Sequence, residues 1–368
     1  MPLDQRSDIK AVELSVIVPS FNERGNIAPL MLALDQALAG IAWEVVFVDD
    51  DSPDGTAAAI RDIAQRDPRV RCLRRIGRRG LSTAVIEGML ASSAPYLAVI
   101  DADLQHDETL LPQMLAAVRQ EDLDIVVASR YLDGGGFGDW STRRAEISRF
   151  ATRLARLVVA APLTDPMSGF FLITRPAFEQ AVHRLSGQGF KILLDLFAST
   201  ATPYRYRELP YVFRRRLHGE SKLDSLVVWE YLMLLLDKLI GGVVPVRFIL
   251  FAAVGGLGIA VHLTTLFLAL LALPFAAAQA IATVTAMTSN FILNNVMTYR
   301  DSRLRGRRFV TGLLSFYAIC SVGALANVGV ASAIFQRHYT WWLSGLAGAA
   351  VGVVWNYGVS SIFTWRRR

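Results

Sequence analysis

Before Pro245 the chain alternates short apolar runs with longer stretches of helical periodicity; beyond it the sequence is almost continuously apolar. Leu14–Pro19, Trp43–Val48, Val70–Leu73, Tyr96–Ile100 and Asp124–Ala128 read as strands, with helices near 25–39, 55–66, 80–92 and 108–120. Strands this apolar fit a mostly parallel, Rossmann-like α/β sheet covered on both faces, which offers its ligand site at the strands' carboxyl ends. Polar clusters stand at those ends. They are Pro19-Ser20-Phe21-Asn22-Glu23 after the first strand, Asp49-Asp50-Asp51-Ser52 after the second and Asp101-Ala102-Asp103-Leu104-Gln105 after the fourth.

Four later segments are long enough for the roughly 20 apolar residues a bilayer span needs. They are Val246–Leu271, Phe275–Met297, Phe309–Phe335 and Trp341–Phe363. Arg300, Arg303, Arg305, Arg307 and Arg308 lie between the second and third, and Arg366-Arg367-Arg368 follow the fourth. The positive-inside rule therefore predicts an integral membrane protein with both termini, the soluble half and the central link in the cytoplasm. This half repeats itself: Asn290-Phe291 precedes Thr298-Tyr299-Arg300 as Asn356-Tyr357 precedes Thr364-Trp365-Arg366, and Arg247-Phe248 matches Arg308-Phe309. Two related hairpins would form a four-helix unit packed through small residues such as Gly255, Gly256, Gly323 and Gly348. Asn290, Asn294, Asn295, Asn327 and Asn356 should face other helices, as interhelical hydrogen-bonding groups in preference to the lining of a lipid path. Between the halves, Ser225–Gly242 carries an apolar face of Leu226, Trp229, Leu232, Met233 and Leu236. It either lies in the membrane surface or packs on the soluble part. The expected division is 1–224, a linker helix at 225–244, and 245–368.

The net charge of +6 is a property of the membrane end, where ten arginines face one acid, Asp301, so it says little about nucleic acid. Cys72 and Cys320 give no disulfide framework and fit a reducing compartment. Met1-Pro2-Leu3-Asp4 opens no apolar h-region, which predicts no signal peptide.

Asp101 and Asp103, taken as the end of a strand, should point to the same side, and with Gln105 they suit Mg²⁺ or Mn²⁺ holding a diphosphate. Capping of a turn is the simpler alternative. Helix capping does not account for three consecutive acids at Asp49–Asp51, which repel one another unless something cationic or hydrogen-bonding is bound. With no Gly-x-Gly-x-x-Gly after the first strand and no Walker loop, dinucleotide enzymes and P-loop NTPases are disfavoured.

Several motifs then fall in one order. They are Val18-Pro19-Ser20-Phe21-Asn22-Glu23-Arg24, Asp50-Asp51-Ser52-Pro53-Asp54-Gly55-Thr56, Gly80-Leu81-Ser82-Thr83-Ala84, Asp101 to His106, Ser129-Arg130-Tyr131, Asp165-Pro166-Met167-Ser168-Gly169-Phe170-Phe171, Gly189-Phe190-Lys191-Ile192-Leu193 and Arg216-Leu217-His218-Gly219-Glu220-Ser221-Lys222. In these the soluble half, from Leu14 to Leu223, resembles the polyprenol (dolichol) phosphate mannosyltransferases of glycosyltransferase family 2, with the GT-A fold. The helical half resembles the small GtrA-like four-helix membrane domains found with O-antigen glucosylation systems.

The resemblance implies that Pro19, Phe21, Glu23, Val48, Asp50, Asp101, Ala102, Asp103, Lys191, Arg216 and Ser221 hold a nucleotide sugar. It implies that Asp101, Asp103 and Gln105 hold the metal, and that Ser129, Arg130 and Arg144 receive the acceptor phosphate. Asp101, Asp103, Arg130 and Arg144 would be the catalytic set. Phe21 replaces the family's usual tyrosine, and Asp195 stands where glutamate is frequent. The implied reaction is inverting transfer of a hexose, mannose from GDP-mannose first of all, to polyprenyl or dolichyl phosphate at the bilayer. A lipid phosphate is already anionic, so it needs orienting cations more than a base. Gly134-Gly135-Gly136 and Trp140 suggest a mobile acceptor loop. The helix that follows, with Arg149, Arg153 and Arg156, suits either a membrane surface or the sheet. A UDP-glucose-dependent polyprenyl-phosphate glucosyltransferase is the alternative enzyme. A lipid-linked sugar transporter with a degenerate catalytic domain is the alternative of another class. No Gln-x-x-Arg-Trp stretch supports a processive polysaccharide synthase.

Overall fold

A computed structural model describes residues 11–136, 151–159, 161–187, 189–214, 225–240, 244–337 and 340–366. The chain divides into two compact units, Met1–Leu239 and Ile240–Arg368.

In the first unit the described residues form a seven-stranded sheet ordered β3-β2-β1-β4-β6-β5-β7. Its strands are β1 (Leu14–Ser20), β2 (Trp43–Asp49), β3 (Val70–Arg74), β4 (Tyr96–Val99), β5 (Ile125–Ser129), β6 (Phe171–Thr174) and β7 (Tyr206–Pro210). β6 runs antiparallel to β4 and β5, and the other pairings are parallel. This is the mostly parallel GT-A arrangement.

Alternation along each strand divides the core. Val16, Val18, Val45 and Phe47 face one layer, with α1 (Arg24–Ala37), α2 (Thr56–Ala64) and α4 (Leu111–Gln120) over it. Ile17, Val46, Val48, Ile125 and Val127 face the other, under α3 (Leu81–Ala91), α5 (Arg175–Val182), α6 (Ile192–Ser199) and α7 (Ser225–Ile240). Burial on both faces explains why the first strands read as unbroken apolar runs. β6 and β7 carry weaker signals: β6 has four residues, and β7 is an edge strand containing Arg207, Glu208 and Pro210, the polar composition that protects an edge.

Two ambiguous helices are settled by packing. In α7, Tyr231, Leu234 and Leu235 are buried in the second core, and the Tyr231 hydroxyl donates to the Ala151 carbonyl at 2.6 Å. Leu232, from the predicted packing face, is exposed instead. Ala155 and Val159 are likewise buried against the sheet, with Arg153 and Arg156 exposed.

The second unit contains α8 (Val246–Leu270), α9 (Phe275–Leu293), α10 (Arg307–Phe335) and α11 (Trp341–Phe363), with α8 packed on α9 and α10 on α11. Three spans, Val246–Leu270, Phe275–Thr298 and Arg307–Ile334, are long and apolar enough to cross a membrane; α11 is 23 residues long and apolar over Ala347–Phe363. The internal repeat has a physical counterpart. A Cβ at Gly258 would strike Asn290, and one at Gly323 would strike Asn356, so each hairpin closes where a glycine admits an asparagine. The Oδ1 atoms of Asn290 and Asn356 are buried there without a donor. Bonds between elements include Thr288 with Tyr317, Tyr299 with Ser361, the Trp355 indole to the Ile319 carbonyl and, among the asparagines, Asn295 accepting the Trp365 indole N–H.

Candidate active site

Parallel register sets the carboxyl ends of three strands side by side. Pro19 pairs with Val48, Ser20 with Asp49, and Ile17 with Val99. The chain leaves all three ends through a left-handed residue: Asn22 (φ 59°), Asp51 (φ 58°) and Leu104 (φ 59°). Asparagine and aspartate tolerate this conformation, whereas a leucine is held there at a cost of about 1–3 kcal/mol. Packing of Leu104 against the first core supplies the hold.

β4 ends at Val99, one residue earlier than the pattern predicts, so Asp101 and Asp103 occupy a turn and not the strand. Strand alternation is therefore not what orients them. The Asp101 amide donates to His106 Nδ1 at 3.2 Å, and Asp103 Oδ1 accepts the Gln105 amide at 3.2 Å. Gln105 Nε2 donates to the Arg214 carbonyl at 3.0 Å. His106 is the turn's prop, buried and stacked 5.3 Å from Phe170, with Tyr211 and Phe213 edge-on. Burial drives its pKa down to about 4, so the ring is neutral at physiological pH. Asp103 is buried, while the Asp101 side chain remains one-third exposed.

The three acids at the end of β2 each have a separate internal partner. Asp49 accepts from the Ser52 amide and hydroxyl, Asp50 pairs with Arg75, and Asp51 pairs with Arg74. Of the cationic or hydrogen-bonding partners expected, Ser52 supplies the second kind, and Arg74 at the end of β3 with Arg75 just after it supplies the first. Arg75, 1% exposed, also donates to the Gly80 carbonyl at 2.8 Å and to Thr83 Oγ1 at 2.7 Å, while the Gly80 amide donates to Asp50 Oδ2 at 2.8 Å. Asp50 thereby ties together the loops after β2 and β3. The Arg79 guanidinium lies over the Phe21 ring at 4.3 Å. The Glu23 carboxylate accepts from Asn26 Nδ2 at 2.6 Å. Pro19 is partly exposed, but Val48 is fully buried in the second core and Ala102 nearly so in the first.

Beyond β5, Arg130 meets Asp165 through two parallel bonds, Nε to Oδ2 at 2.7 Å and Nη2 to Oδ1 at 2.8 Å. Burial alone would lower the Arg130 pKa, but Asp165 outweighs it and keeps the guanidinium charged. Asp165 is in turn fixed by its own backbone amide donating to Glu208. Ser129 is fully buried, its hydroxyl 2.6 Å from that of Thr164 and accepting the Tyr131 amide, so it braces the Arg130 turn. Gly136 bridges to Val212, which pins the glycine run where the pattern predicts mobility. Lys191 Nζ donates to the Met167 carbonyl at 3.4 Å. Arg144, Arg216, Ser221 and Trp140 lie outside the described residues.

Residues 15–181 match the glycosyl transferase family 2, and residues 250–365 match the GtrA/DPMS transmembrane domain. The chain is 33% identical over 359 residues to the dolichol-phosphate mannosyltransferase of Pyrococcus furiosus, covering 96% of this chain and 99% of that one. The chain belongs to the dolichol-phosphate mannosyltransferase family. It is a glycosyltransferase and a membrane protein. The dolichol-phosphate mannosyltransferase of Saccharomyces cerevisiae is 37% identical over 234 residues, 60% of this chain and 85% of its own. A glucosyl-3-phosphoglycerate synthase structure from Mycobacterium tuberculosis is more distant, with 18% identity and a TM-score of 0.44 over 62% of this chain and 78% of its own.

A departure from the mannosyltransferase motifs also finds its explanation. Asp195 is fully buried, accepts from Ser186 and Ser199, and pairs with Lys238 of α7 at 2.5 Å. It locks a helix onto the second core. As for a metal, the described residues hold no group of three His, Cys, Asp or Glu able to bind one. Two carboxylates and a carboxamide within five residues still fit a hard cation that takes its remaining oxygens from water and diphosphate.

Proposed function

We propose that the protein transfers mannose from GDP-mannose to a polyprenyl or dolichyl phosphate on the cytoplasmic face of a membrane, with inversion at the anomeric carbon. Family membership supports the lipid-phosphate acceptor. The observation that carries the reading is the union, at one end of the sheet, of Asp50 and Phe21 on one side, Asp101 and Asp103 in the middle, and the Arg130–Asp165 pair beyond β5.

Phe21 stacks on the base, and Asp50 and Glu23 accept hydrogen bonds from the nucleoside. Asp101, Asp103 and Gln105 are the residues that would hold Mg²⁺ or Mn²⁺, whose chemistry there is to offset charge on the departing diphosphate. Arg130 and Arg144 orient the lipid phosphate, and Ser129 acts behind Arg130. Lys191, Arg216 and Ser221 contact the donor diphosphate. An oxygen of the lipid phosphate bonds to the anomeric carbon as the bond from that carbon to the diphosphate oxygen breaks, releasing GDP. No general base is required, because the nucleophile is already an anion.

The test is transfer of labelled mannose from GDP-mannose into the organic phase by full-length protein in bilayers containing dolichyl phosphate, with and without chelator. Transfer that stops with chelator and returns with Mn²⁺ is expected, and Asp103→Asn should abolish it while inserting normally. Glucose transfer from UDP-glucose with none from GDP-mannose would overturn the donor assignment. Full activity under chelation would overturn the metal role.

A further inference from the structure

At the end of α9 the helix widens into a π-helical turn over Asn294–Thr298, and the chain returns through Arg303-Leu304-Arg305-Gly306 to α10. Such turns recur at functional positions. Here the turn and the returning loop border an open cavity of about 330 Å³, whose lining includes Ile292, Asn295, Val296, Arg303, Arg305 and Phe309.

The cavity is built. Asn295, 2% exposed, clamps the loop by donating from Nδ2 to the Leu304 carbonyl at 3.2 Å and accepting the Leu304 amide on Oδ1 at 2.8 Å. The same Oδ1 accepts the Trp365 indole N–H at 3.1 Å, and Trp365 stacks on Tyr299 at 4.2 Å. Leu304 fills a notch over Gly312, where a Cβ would collide with it. Leu304 is thus fixed on both sides, and the arginines flanking it are presented by a rigid loop. Both are exposed, and neither has an ion-pair partner among the described residues. The opposite wall is apolar, and Ile292 and Val296 remain about two-fifths exposed at the end of a membrane-spanning helix. Two exposed arginines carried on a clamped loop, lining one cavity with an apolar wall at a span's end, match an amphiphilic anion, a phosphate carried on a hydrocarbon chain.

We propose that this cavity seats the phosphate headgroup of a membrane lipid, with Arg303 and Arg305 on the phosphate and Ile292, Val296 and Phe309 along the start of its chain. The site lies wholly within the helical unit and does not depend on the transferase reading.

Native mass spectrometry of full-length protein in detergent tests it, with dioleoylphosphatidylglycerol, a long-chain polyprenyl phosphate and dioleoylphosphatidylcholine titrated separately. Arg303→Gln with Arg305→Gln should weaken retention of the phosphatidylglycerol or polyprenyl phosphate adduct by about thirtyfold at low salt, from two surface arginines each acting on an anionic headgroup. Phosphatidylcholine adducts and the melting temperature should stay unchanged. Val296→Trp, which fills the apolar wall and leaves both arginines, should also displace the anionic lipid. A loss confined to polyprenyl phosphate identifies an isoprenoid ligand, and equal loss for both identifies a headgroup seat, each supporting the proposal. Unchanged retention in the arginine variant, equal loss of phosphatidylcholine, or displacement by inorganic phosphate at matching concentration would overturn it.

Discussion

The proposed nucleotide edge and the proposed acceptor edge of the site are each built on a buried Arg–Asp pair, and the two pairs are inverted. At the nucleotide edge the arginine is the hidden member: the Arg75 side chain is 1% exposed and that of Asp50 is 10%. At the acceptor edge the aspartate is hidden: Asp165 is 0% exposed and Arg130 is 8%. In the proposed site the more exposed member of each pair would therefore present a different charge to the substrates. A nucleoside offers N–H donors and calls for a carboxylate, whereas a lipid phosphate calls for a guanidinium. In the second pair the hidden Asp165 raises the Arg130 pKa against burial and aims the guanidinium through two bonds.

This inversion is open to attack from both ends. Asp165→Asn and Arg75→Met each leave a charge buried without its counter-ion, and each should destabilise the soluble unit by about 3–5 kcal/mol in chemical denaturation. Replacement of both Arg75 and Asp50 by apolar residues of similar size should cost less than Arg75→Met alone, because it removes the stranded charge. A smaller effect is expected for Arg130→Lys, which keeps the charge and loses the two-point bond to Asp165; transfer should fall about ten- to hundredfold in kcat/KM, with donor affinity unchanged. Phe21→Tyr restores a hydroxyl at the nucleotide edge and should tighten donor binding by about fivefold, the worth of one added hydrogen bond, measured by titration with GDP.

The smallest effect belongs to a pair with both members at the surface. Arg69 reaches Asp67 and Asp35, and its hydrogen bond holds the Asp67 carboxyl below its ordinary value of 3.8, with burial opposing. A depressed carboxylate stabilises the fold above its unfolded pKa and loses that contribution as pH falls through the folded one. Asp67→Asn should cost under about 1 kcal/mol at pH 7, and the difference should shrink as the pH falls below 3.8 and vanish once it is below the depressed folded value.

What the sequence reveals follows from the range of the interactions concerned. The first five strands are local apolar runs and stand within a residue or two of their expected bounds. The Asp101–Gln105 turn is conspicuous for its chemistry, although its geometry comes from Leu104 and His106 and not from strand alternation. Arg75, Arg79 and Asp165 have no assigned role in the pattern, because their meaning lies in contacts spanning 25 residues to Asp50 and 35 to Arg130. The adjacent Arg74-Arg75 directly after a strand, opposite three acids, is the one signal that could have exposed the nucleotide-edge pair. In the helical unit, the Asn-aromatic repeat is visible in the residues, but its glycine partners are identified only once the hairpins are closed.

Steady-state transfer with donor and acceptor varied independently, in Asp165→Asn and Arg75→Met, bears most directly on the inverted pairs. Asp165→Asn should raise KM for the lipid phosphate at an unchanged KM for GDP-mannose, and Arg75→Met should do the reverse. If both variants shift the same KM, or each shifts both equally, the two edges do not divide the substrates and the account is wrong.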